Sequence, residues 1–147
     1  MNFIDLNAQQ KQINSHGKTL RQEIDSNIRN VLDHGKYILG PEVKKLEDML
    51  CKFVGTHECI AVSSGTDALL LSLLALDLKK GDEVITTAFS FISTAEVIDL
   101  IGLVPKFVDI NINDYNLDPE KVEDAITSKT KAIIPVSLYG QPANFSE

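Results

Sequence analysis

Four times along this chain a short apolar run is followed or preceded by a helical pattern with only a brief connection between them, and that alternation admits few folds. The apolar runs occupy residues 58–62, 83–87, 106–110 and 131–136. Residues 67–78 (DALLLSLLALDL) are apolar nearly all round and are therefore expected as a buried helix. Ala95, Val97, Ile98 and Ile101 give helical spacing to 93–101 before Gly102, and Asp118-Pro119-Glu120 supplies an N-cap, a first-turn proline and an early acid to a helix running through Ile126. Runs ordered in this way pair in parallel through right-handed crossovers. The expected fold class is α/β, a mostly parallel sheet with flanking helices.

The first third of the chain is different. After an extended start at residues 3–6, Leu20, Ile24, Ile28, Val31 and Leu32 recur at three- and four-residue spacing and stop at Gly35. Pro41 then suits the first turn of a second amphipathic helix, with Val43, Leu46, Leu50 and Phe53 on one face before Gly55. The chain reads as one incomplete domain, with amino-terminal helices over 1–57 and βα units over 58–147. The helix that the alternation predicts after the last strand is missing, so the sequence reads as cut off.

Composition excludes several classes. With 147 residues, 44% of them hydrophobic, there is material for a core. A net charge of −7 and the lack of a Lys/Arg block argue against nucleic acid or an anionic membrane as partner. No basic leader followed by an apolar run opens the chain, and no stretch reaches membrane-spanning length, which places the protein in the cytoplasm. There Cys51 and Cys59 are expected as reduced packing residues. His16, His34 and His57 lack the spacing of metal ligands, and no metal is expected.

Residues 62–67 (VSSGTD) join an apolar run to the most apolar helix through small, hydroxyl-bearing residues. Helix-opening amides and the helix dipole favour an anion there, Gly65 tolerates close approach to a ligand, and Thr66 adds a hydroxyl. Ser64 and Asp67 equally fit a capping pattern, which by itself is the commoner reason for such a segment. The motif is neither a dinucleotide fingerprint nor a Walker loop. Ligands of parallel sheets gather at the carboxyl edge of the strands. Residues 88–94 (AFSFIST) and 137–141 (SLYGQ) follow strands as well, so the three segments together offer an anion seat, an aromatic face and polar edges.

Four motifs in this order, YILGPEV at 37–43, AVSSGTDAL at 61–69, GDEVITTAFSFISTA at 81–95 and PVSLYGQPA at 135–143, closely resemble the DegT family of sugar-nucleotide aminotransferases. The resemblance covers essentially the whole chain. It implies part of the large domain of fold-type I pyridoxal-phosphate enzymes, an obligate dimer, glutamate as amino donor and a nucleotide-linked keto sugar as acceptor. It further implies that Gly65, Thr66 and Asp67 hold the cofactor phosphate, that Phe91 rather than Phe89 stacks on the pyridine ring, and that Ser137 and Tyr139 lie near cofactor or substrate. Tyr37 to Pro41 resembles a loop near the sugar-nucleotide cleft.

The resemblance also implies what these residues lack. The family's Schiff-base lysine and the acid that pairs with the pyridine nitrogen come later in the sequence, and Lys129 and Lys131 match neither position. No catalytic residue is expected in the chain, which by itself is expected to be inactive. Two alternatives are a related pyridoxal-phosphate sugar dehydratase and a non-catalytic interaction protein. Fold-type I order would also leave the run at 58–62 without sheet neighbours, so it is expected to rearrange or to pair with another copy of the chain.

Overall fold

A computed structural model describes residues 4–146. The chain falls into two compact units, Met1–Ala61 and Val62–Glu147.

The first unit is helical: α1 (Leu6–Gln10), α2 (Leu20–His34) and α3 (Pro41–Val54). The start expected to be extended is partly helical, because Asp5 accepts a hydrogen bond from the Ala8 N–H (3.0 Å) and so caps α1 at Leu6; Phe3 lies outside the described residues. α2 opens on a capping box, with the Gln22 N–H donating to Thr19 Oγ1 (3.2 Å) and the Thr19 N–H donating to Gln22 Oε1 (2.9 Å). It ends where Gly35 takes a left-handed conformation (φ 65°), as the sequence predicts. Residues 58–62, expected as a strand, join no ladder among the described residues. The Ala61 N–H donates instead to Glu47 Oε1 (2.9 Å), while Ile60 is 79% exposed. An apolar run becomes a strand only where a neighbour meets its backbone groups, and here none does.

The second unit carries α4 (Gly65–Ala75), β1 (Glu83–Thr87), α5 (Ser93–Leu100), β2 (Val104–Val108), α6 (Pro119–Ala125) and β3 (Thr130–Ile133), followed by a 3₁₀ turn at Leu138–Gly140. All pairing is parallel, in the order β2-β1-β3. β1 is central and Val84 to Thr87 are buried along it, the continuous burial expected of a strand covered on both faces. Successive side chains point to opposite faces. Val84 therefore packs with Leu73 of α4, Val97 and Ile98 of α5 and Leu103, while Ile85 packs with Val108 and Leu117 against Val122 and Ala125 of α6. β2 begins two residues earlier than the sequence suggests, because Pro105 is tolerated in a strand paired on one side only. No helix among the described residues is long and apolar enough to cross a membrane.

The amino edge of the sheet is tied electrostatically. Glu83 Oε2 accepts from Thr127 Oγ1 (2.7 Å) and lies 3.6 Å from Lys106 Nζ. The Thr127 hydrogen bond, aided by the Lys106 charge, holds the Glu83 carboxyl below the usual glutamate value despite some desolvation. A lowered folded-state value contributes stability above the ordinary glutamate range and loses it as pH falls through the folded value. Glu83→Gln is therefore expected to lower the urea midpoint at neutral pH, with the gap to the parent closing as pH falls through and below the ordinary glutamate range. Urea titrations at several pH values check this, and a gap independent of pH contradicts it.

Candidate active site

Seven residues link the end of α4 to the start of β1, and Leu73 near the end of the helix packs on Val84 near the start of the strand. The two elements therefore run antiparallel. Eleven residues of helix rise about 16 Å and five of strand span a similar distance, so α4 opens level with the carboxyl end of β1. The segment 63–67 thus stands at the edge where the loops after β1 and β3 also emerge.

At the opening of α4, Ser64 is the N-cap and its Oγ accepts from the Asp67 N–H (3.1 Å). Ser63 Oγ donates to the Asp67 carboxylate. The Asp67 amide, one of the groups suggested for an anion, is thus already engaged in the cap. The N–H groups of Gly65 and Thr66 have no acceptor among the described residues, and the Thr66 side chain is exposed. The cap uses one amide and leaves two donors and a hydroxyl without partners among the described residues.

Gly65 is informative for what it does not need. Its φ is not positive, and a Cβ built on it meets no atom within 4 Å. Neither backbone conformation nor packing within the chain calls for glycine there. Glycine there leaves the backbone open to close approach, beside amides that have no acceptor among the described residues.

The loop after β1 separates its two aromatics. Phe89 packs on Tyr115 with ring centroids 6.1 Å apart and planes at 33°, and its N–H donates to Thr87 Oγ1 (3.0 Å). Phe91 is 74% exposed and its ring remains open to a ligand. The loop after β3 places Tyr139 in a left-handed conformation (φ 54°, ψ 22°) with its side chain 90% exposed. Ser137 Oγ accepts from the Ala143 N–H (3.4 Å), which closes the base of that loop.

One residue at this edge escaped the sequence reading. Asn116 is 1% exposed and its Nδ2 donates to the backbone oxygens of Gln141 (3.3 Å) and Pro142 (3.0 Å). Its only local signal is the turn-forming composition of NINDYN at 111–116.

A family model, the DegT/DnrJ/EryC1/StrS aminotransferase family, matches residues 18–147. The chain belongs to this family. It is 53% identical over 143 residues to the UDP-2-acetamido-2-deoxy-3-oxo-D-glucuronate aminotransferase of Pseudomonas aeruginosa, a match covering 97% of this chain and 38% of that protein. Among solved structures it is similar to a family aminotransferase from Brucella abortus (TM-score 0.91, 37% identity, 99% of this chain and 39% of that one). It is also similar to NtdA of Bacillus subtilis, solved with bound cofactor PMP (TM-score 0.85, 38% identity, 98% and 32%). A third neighbour is the E. coli GDP-4-keto-6-deoxy-D-mannose-3-dehydratase with bound hydrated PLP (TM-score 0.77, 42% identity, 81% and 32%). The fold is thus part of the fold-type I architecture that the resemblance implies. The chain spans well under half the length of each of these proteins.

If Ser64 caps α4 through a single side-chain bond, Ser64→Ala is expected to lower stability by about 0.5–2 kcal/mol. Denaturant unfolding checks this, and an unchanged midpoint would show that the cap contributes nothing.

Proposed function

We propose that this chain forms the cofactor-anchoring part of a pyridoxal-phosphate-dependent aminotransferase that moves an amino group, with glutamate as donor, to a nucleotide-linked keto sugar. The observation that carries the reading is the pair of free amides at Gly65 and Thr66, opening a buried-face helix at the carboxyl edge of a parallel sheet beside open space. The 53% identity to a UDP-sugar aminotransferase supports the substrate class.

In this reading the Gly65 and Thr66 amides and the Thr66 hydroxyl hold the phosphate, and the α4 dipole adds about 0.3–1 kcal/mol for the charge. Asp67 acts indirectly, by keeping its amide on Ser64 and its carboxylate on Ser63. Phe91, exposed where Phe89 is not, offers its face to the pyridine ring and orients it. Ser137 and Tyr139 border the same edge. Bound there, pyridoxal phosphate supplies the electron sink on which amino transfer depends. The chain's own residues position it. The resemblance puts the lysine that carries the cofactor covalently outside the motifs matched here, and on that ground we assign these residues anchorage rather than turnover. A cytoplasmic homo-oligomer completes the proposal.

A second reading is a sugar dehydratase using the same cofactor, supported by the 42% identity to the E. coli enzyme. The aminotransferase is preferred because the match to the Pseudomonas relative is both higher in identity and broader, at 53% over 97% of the chain against 42% over 81%.

Two variants separate a ligand seat from a bare cap. Thr66→Ala is expected to weaken binding of pyridoxamine phosphate roughly tenfold, the worth of one hydrogen bond to a charged group. Gly65→Ala is expected to leave the unfolding midpoint within about 0.5 kcal/mol of the parent, since its Cβ meets nothing, while also weakening binding. Fluorescence titration and denaturant unfolding read the two effects; unchanged affinity in both variants sinks the seat. The 147-residue protein mixed with pyridoxal phosphate, glutamate and a UDP-linked keto sugar is expected to give no catalytic amino transfer above the protein-free reaction. Sustained turnover would contradict the assignment of anchorage alone.

A further inference from the structure

Asn116 stands between two loops of the candidate site and is part of neither. It closes the turn after β2, where the Asn111 N–H donates to the Asn116 backbone oxygen (2.9 Å) and the Tyr115 N–H to the Asn111 oxygen (2.9 Å). On one side of this turn Tyr115, itself left-handed at φ 62°, packs on Phe89 of the loop after β1. On the other, Asn116 Nδ2 reaches the oxygens of Gln141 and Pro142, 25 and 26 residues along the chain.

The orientation of the amide is settled by its partners. Turned over, Oδ1 would face two carbonyl oxygens, and no donor would remain in the contact. As placed, Nδ2 makes both bonds and Oδ1 is left buried without a donor among the described residues. A buried acceptor left unmet is costly, which separates Asn116 from a generic packing residue.

Apart from the burial of Ala143, the loop's other described hydrogen bonds are local. Within it the Gly140 N–H donates to the Ser137 oxygen (3.2 Å), the Gln141 N–H to the Leu138 oxygen (3.1 Å) and the Ala143 N–H to Ser137 Oγ (3.4 Å). All of these are internal to residues 137–143. The bonds from Asn116 come from the turn after β2 and tie the two connections together. Tyr139 sits at the tip in a left-handed conformation that a non-glycine residue holds only when its surroundings impose it.

We propose that Asn116 is a positioning residue: through Gln141 and Pro142 it holds the loop after β3 so that the exposed Tyr139 side chain is presented at the carboxyl edge as a ligand contact. This rests on the proposal that ligands bind at that edge. It goes beyond it in assigning the geometry of the loop to a residue that touches no ligand.

The test is NMR relaxation on the 147-residue protein. Asn116→Leu keeps the branched heavy-atom outline at a somewhat larger volume, removes the tether and removes the unmet acceptor, so the fold is expected to survive. Backbone order parameters at Tyr139, Gly140 and Gln141 are expected to fall from about 0.85 toward about 0.6, with Val84 to Thr86 of β1 unchanged. Asn116→Ala removes the donors without adding volume or charge, so it is expected to loosen the same residues and serves if the leucine variant does not fold. Wild-type order in the loop of either folded variant overturns the proposal, as does a uniform loss that reaches β1, which would make Asn116 a core residue only. Pyridoxamine phosphate titrated into the same samples keeps the two ideas apart. Its affinity is expected to fall about three- to tenfold in Asn116→Leu, since Tyr139 loses its fixed position; an unchanged affinity in a folded variant with a loosened loop overturns the assignment of Tyr139 as a ligand contact. Failure of the parent protein to bind it sinks the functional reading while leaving the loop result standing.

Discussion

The burial of β1 is the constraint on which the second unit depends. Its side chains are inaccessible from Val84 to Thr87, with α4 and α5 covering one face and α6 the other. Its backbone is paired in parallel on both sides. Each large apolar side chain so buried contributes about 1.5–3 kcal/mol. Hydroxyls enter this core only with partners: Thr86 Oγ1 donates to the Ile134 oxygen (3.0 Å), and Thr87 Oγ1 accepts from the Phe89 N–H (3.0 Å).

From that burial the candidate site follows geometrically. A central strand flanked by α4 on the same connection brings the opening of the helix to the strand's carboxyl end. Parallel pairing then brings the loops after β2 and β3 to the same edge. The proposed anchorage lies at a capped helix terminus, whereas Phe91 and Tyr139 come from loops and are exposed. Bonds between loops, from Phe89 to Tyr115 and from Asn116 to Gln141 and Pro142, tie these looser parts together.

What was legible in the sequence was local. Glu83–Thr87 was visible as a strand because a Lys-Gly-Asp turn precedes an apolar run, and Asp118-Pro119-Glu120 marked the start of α6 through cap chemistry that acts within one turn. Residues 58–62 misled because strand character depends on a neighbour as much as on apolar side chains. The run expected at 106–110 is paired two residues earlier, at Val104–Val108, where Pro105 is tolerated because the strand is paired on one side only. At the site, the pattern around Ser64 suggested a cap and a seat without saying which amides each would use, and the structure shows the cap. Only the structure puts the Asp67 amide on Ser64 and leaves those of Gly65 and Thr66 free. Asn116 was invisible because its partners lie 25 and 26 residues away and no local pattern encodes a bond of that range.

The account's central claim is that the opening of α4 both caps itself and seats a phosphate. Titrating pyridoxamine phosphate into the isotopically labelled protein and following every backbone amide tests it most directly. The account predicts the largest shifts at Gly65 and Thr66, saturating together, with a smaller response at Asp67, whose amide stays on Ser64. Shifts that centre on another element, or none at α4, would contradict it.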